Sequence, residues 1–129
     1  MATITRFEDL EIWQLARQQA IDIYVLYNKE PFNKDFELRN QINAASGSVM
    51  DNIAEGFDRS GNKEFSNFLN IAKGSNAEIR SQLYRAFDRN YFTEDTLTTM
   101  KIKNETLGSK LMTFIRYLNT SAFKGQRYK

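Results

Sequence analysis

The chain has 129 residues, enough for one domain with a hydrophobic core and too short for two of ordinary size. Hydrophobic residues make up 41% and charged residues 26%, with a net charge of +2, a balance that excludes a disordered chain. Cysteine and histidine are both absent, which excludes disulfides, thiolate metal sites and histidine-based proton transfer, so the expectation is no enzyme, no cofactor and no metal.

Proline occurs once and the glycines are few, so long stretches lack helix breakers. The first helix is expected over residues 8–28, with Leu10, Trp13, Ala16, Ala20, Tyr24 and Tyr27 recurring at helical steps. Ile12, Ile23 and Leu26 form a second apolar strip on it. "NKEPFNKD" reads as a connector, and Asn33 or Asp35 as the cap of the next helix.

Helix two is expected over 35–57, its seam running through Leu38, Ile42, Ala45, Val49, Asn52 and Gly56. The small residues of "AASGS" read as a close helix contact, as does the pair Gly74 and Ser75 in the next helix. That helix, over 61–90, carries Phe65, Phe68, Ala72, Ser75, Ile79, Leu83 and Ala86. Helix four, over 93–121, has a seam of Leu97, Met100, Asn104, Leu107, Leu111, Phe114 and Leu118, with Asn104 as a register-setting polar interruption. Residues 122–129 form a basic tail. Four such helices with short connectors predict an all-α, antiparallel up-down-up-down bundle. No apolar run approaches the roughly 18 residues that span a bilayer, and the start lacks a signal-peptide layout, so a cytoplasmic location without membrane contact is expected.

Two clusters are candidate sites. Asn52, Glu55 and Arg59 share a helix face near two glycines, and Glu64 follows at the start of helix three. They read as a structural polar network: a partly buried Glu55–Arg59 pair, with Glu64 in a capping box, in preference to a ligand pocket. The second cluster follows from charge. Residues 1–100 hold eleven cations against fifteen carboxylates, while 101–129 hold seven against Glu105 alone. Lys101, Lys103, Lys110, Arg116, Lys124 and Arg127 are therefore the candidate nucleic-acid contacts, the alternative being a solvated outer face.

"FEDLEIWQ", "SVMDNIAEGFDR", the pair Glu64–Phe65, "IAKGS" and "EIRSQL" go beyond what bundle periodicity requires. With them the chain resembles the 23S rRNA-intervening sequence protein family, which is similar to the accessory variability proteins of diversity-generating retroelements. The resemblance covers about residues 7–120. It implies a bacterial four-helix protomer assembled as a ring-shaped homopentamer without enzymatic activity. Retroelement relatives bind nucleic acid and a reverse transcriptase through a basic surface, so RNA or DNA and such a protein are the implied partners. Where the family carries "QIRRA", this chain reads "QINAA", with Asn43 and Ala44 in place of two arginines. Two functions compete: an oligomeric nucleic-acid-binding or accessory protein, and a structural scaffold without nucleic-acid binding. The arrangement of the helix-four cations separates them.

Overall fold

The computed structural model describes residues 3–59 and 61–120. Among them the chain forms four helices and no strand: α1 Glu11–Tyr27, α2 Phe36–Asp58, α3 Asn62–Asp88 and α4 Glu94–Asn119. Short 3₁₀ turns, Phe7–Asp9 and Phe32–Lys34, precede α1 and α2. The first turn delays α1 to Glu11, because the Leu10 N–H closes on the Phe7 carbonyl and Leu10 itself is extended. Helix α2 starts where Asp35 accepts the Leu38 N–H at 3.2 Å, and α4 where Thr93 accepts the Thr96 N–H at 3.3 Å; each satisfies a first-turn donor that the helix cannot.

Asn90, at φ 63°, takes the left-handed conformation that terminates α3, and the Tyr91 N–H then returns to the Ala86 carbonyl. At the other end of α3, Gly61 adopts φ 102°, which a side chain would strain. A glycine offers no capping oxygen, and α3 begins without a side-chain cap. The capping box expected for Glu64 is therefore not formed.

The core joins Ile12, Ala16 and Ile23 of α1 to Leu38, Ile42 and Val49 of α2, Leu69, Ile79 and Leu83 of α3, and Leu107, Leu111 and Leu118 of α4. In α1 the buried strip is Ile12, Ala16, Gln19, Ile23 and Tyr27. Leu10, Ala16 and Tyr27 of the expected seam and Ile12 and Ile23 of the second strip are buried, while Trp13 and Ala20 are half-buried and Tyr24 is 59% exposed. In α2, Ile53 fills the core position expected of Asn52, and in α3 and α4 the buried residues are Leu69 and Ile115, while Phe68 and Phe114 are half-buried beside them.

The buried face of α1 also carries a polar group. Gln19, Asn76 and Asn104 are 4%, 3% and 0% exposed, one from each of α1, α3 and α4. Gln19 Nε2 donates to Asn76 Oδ1 at 2.9 Å, and Asn104 Nδ2 donates to Gln19 Oε1 at 2.8 Å and to the Asn76 carbonyl at 3.0 Å. Asn76 Nδ2 returns a bond to the Asn104 carbonyl at 3.0 Å. Leaving buried amides unpaired is costly, and these three bond to one another across α1, α3 and α4.

A second polar junction ties three chain segments together at one end. Asp35 accepts from Arg89 Nη1 and from the Tyr91 hydroxyl, both at 2.6 Å, while it also caps α2. Glycine has two different uses. A Cβ on Gly56 would stand 2.7 Å from Phe68 Cβ and 2.9 Å from Phe65 Cδ1, so α2 and α3 approach there because no side chain intervenes. Gly47 and Gly74 have open space where a Cβ would be, so the close contact expected of their two stretches is made by neighbouring residues. Between them Ser48 and Ser75 meet, their hydroxyls 2.8 Å apart.

Candidate nucleic-acid interface

Of the four residues expected to form one polar network, Glu55 and Arg59 pair as expected, while Asn52 bonds within its own helix. Asn52 Nδ2 turns back to the Ser48 carbonyl at 2.8 Å and to Ser48 Oγ at 3.1 Å, bonds internal to α2. Arg59 pairs with Glu55 at 2.7 Å, but the side chains are 49% and 54% exposed, which corrects the expectation of partial burial. The reason is position: Glu55 is exposed in the last turn of α2 and Arg59 is the extended residue that follows the helix, lying across the Phe68 ring at 5.1 Å. The Glu55 carboxylate, and beyond it Glu64, holds the Arg59 guanidinium above its ordinary pKa. Glu64 itself is exposed.

The helix-four cations divide between two sides of α4. Lys103 and Lys110, seven residues apart, share the side facing α1, where Lys103 bonds to Asp22 and Lys110 pairs with Glu11, each at 3.2 Å. Lys101 and Arg116 face α3. The Lys101 ammonium stands 4.9 Å from the Tyr84 ring centre. The Tyr84 side chain, then Glu105, raises its pKa, so it stays charged at neutral pH. Lys124 and Arg127, with the rest of the expected basic tail 122–129, lie outside the described residues.

Facing α3, Arg116 opens onto a groove of about 730 Å³ between α3 and α4. Two further cations line it, Lys73 and Arg80, seven residues apart and hence on one side of α3. Gly74, Ala77 and Gly108 keep its floor low. The carboxylate lining it is Glu105, whose contact with Arg80 is a loose 3.8 Å between half-exposed groups. Among the described residues no carboxylate lies within ion-pair distance of Lys73 or Arg116. With Lys101 at one end, four cations therefore face one acid. A second groove, of about 600 Å³ between α2 and α3, sets Arg85 against Glu78 and carries no such excess.

Sequence reasoning located Lys101 and Arg116 and missed Lys73 and Arg80, because net charge was divided by position along the chain while the groove gathers charge across two helices. The heptad spacing of Lys73 and Arg80 beside the small residues Gly74 and Ala77 was the available signal. Both cations fall inside the strings "IAKGS" and "EIRSQL".

Among the described residues no group of three or more Asp or Glu side chains is placed to hold a metal ion, and no helix is long and apolar enough to cross a membrane. Comparison with curated proteins finds no match. The family model of the 23S rRNA-intervening sequence protein matches residues 8–113, which takes in α1, α2, α3 and most of α4, and the chain belongs to that family.

Proposed function

We propose that this chain is a non-catalytic accessory protein of the cytoplasm that contacts the phosphates of RNA or DNA through the α3–α4 groove. The observation that carries the reading is the surplus of Lys73, Arg80, Lys101 and Arg116 over Glu105 in one concave strip. Each phosphate neutralised there releases counterions, so affinity falls as salt rises, with little dependence on sequence. The pairings of Arg80 with Glu105 and of Ser66 with Asn119 support an antiparallel arrangement of α3 and α4. Self-association as a ring-shaped homopentamer belongs to the same proposal. Ile21, Tyr24 and Val25 support it, as apolar side chains 46%, 59% and 49% exposed on the outer side of α1. A ring multiplies a groove that is weak in one copy, and a reverse transcriptase is the kind of protein partner the family resemblance implies.

The scaffold reading is favoured by one observation: the ion pairs of Lys103 and Lys110 consume half of the described helix-four cations. Fluorescence anisotropy with labelled RNA at low salt separates the two. Replacing Lys73, Arg80 and Arg116 together by glutamine is expected to abolish binding, while Lys103→Gln with Lys110→Gln leaves it near wild type. Wild-type protein that binds neither RNA nor DNA at low salt establishes the scaffold instead.

A further inference from the structure

We infer that the α3–α4 groove takes a single nucleic-acid strand in preference to a duplex, an inference that rests on the phosphate-binding reading above. The cations come from both walls, Lys73 and Arg80 from α3 and Arg116 from α4, with Lys101 of α4 beyond the lining, beside Tyr84. They are also strung along the groove. Lys101 stands beside Tyr84, Arg80 beside Glu105, and Arg116 lies toward the opposite end, where Ser66 meets Asn119. Lys101 and Arg116 are fifteen residues apart on one helix, about 22 Å at 1.5 Å per residue. A strip of that length with charge on both sides tracks one backbone, on the order of 4 nucleotides, the lower end of the range for single-strand grooves.

A duplex is a convex cylinder and would rest on the crests of the two helices. Along the crests Asn67 and Ser81 on α3 and Ile102 and Thr106 on α4 are exposed and uncharged. The low floor acts in the same direction. Open space surrounds the missing Cβ of Gly74, and a Cβ on Gly108 would meet only Asn76 Nδ2, at 3.4 Å, so a narrow chain can settle between the helices. At the Lys101 end Tyr84 is 41% exposed, an aromatic surface on which an unpaired base can stack and a paired one cannot.

The test is anisotropy on the full-length protein with a labelled oligouridylate and a labelled oligothymidylate of about 8 nucleotides, against a blunt hairpin duplex. Both single strands are expected to bind more tightly than the duplex at every salt concentration, with a slope of log affinity against log salt of about −2 to −3 for three or four contacts. Tyr84→Ala is expected to lose about ten-fold on the single strands, and Tyr84→Phe to retain wild-type binding, since a phenyl ring still stacks. Duplex binding equal to or tighter than single-strand binding, and lost on replacing Lys73, Arg80 and Arg116, overturns this inference and leaves the phosphate reading standing. Absence of binding to all three probes at low salt removes both.

Discussion

Replacing Asn104 by alanine tests whether the three buried amides act as one unit. The side chain is fully buried and supplies the Gln19 Oε1 bond and a bond to the Asn76 carbonyl. Its removal leaves Gln19 Oε1 without that donor, at about 1–3 kcal/mol, and opens a small cavity, so the expected loss is about 2–4 kcal/mol. The complementary variant carries Gln19→Leu, Asn76→Leu and Asn104→Leu together. Removing every partner of a buried polar group costs far less than removing one, and the change also eliminates Asn104 Oδ1, which is buried without a hydrogen-bond partner. The triple variant is therefore expected within about 1 kcal/mol of wild type, well above the sum of its three single changes. Urea denaturation followed by far-UV circular dichroism, at fixed protein concentration, measures all five variants and wild type. Single variants within about 0.5 kcal/mol of wild type, or a triple variant that loses the full sum, would refute the coupling.

Gly56→Ala is expected to destabilise by about 1–3 kcal/mol, because its Cβ meets Phe68 Cβ at 2.7 Å, whereas Gly74→Ala gains about 0.5–1 kcal/mol of helix propensity in open space; paired urea titrations give both signs. The Tyr91 hydroxyl, followed by the Leu38 N–H and the Arg89 guanidinium, holds Asp35 below the usual carboxylate range. The unfolded chain then binds the proton more readily than the folded one, so this stabilisation is complete above the ordinary carboxylate pKa and is lost as pH falls through the lower folded value. Thermal melts of wild type and Asp35→Asn are expected to converge in acid and separate toward neutrality; a constant gap would contradict the assignment. Arg59→Ala breaks an exposed pair and is expected to melt close to wild type, in contrast to the large loss that a buried pair would give.

Several residues could be read directly. Leu38, Ile42 and Val49, with Leu97, Leu107, Leu111 and Leu118, recur at three- and four-residue steps and are all buried. The cap of helix two was legible to within Asn33 or Asp35, because a short oxygen-bearing side chain before an apolar run satisfies a first-turn donor, and the structure selects Asp35. Phe114 and Phe68 mislead for a stated reason: on a broad buried face several side chains border the core, and hydrophobicity does not say which of two neighbours, Phe114 or Ile115, points inward.

The sequence by itself determined four helices, their approximate ends and the family, because local propensity, capping and a specific string of residues act within short reach along the chain. That Gln19 joins the buried face of α1 was decided only by tertiary structure, since its partners Asn76 and Asn104 lie 57 and 85 residues away. The same is true of charge. Lys103 and Lys110 are ordinary cations along the chain, and packing against α1 gives them Asp22 and Glu11. Lys73 and Arg80 looked unremarkable until α4 brought Arg116 and Lys101 to the same strip. Electrostatic potential depends on distance through space, and a list of residues carries only distance along the chain.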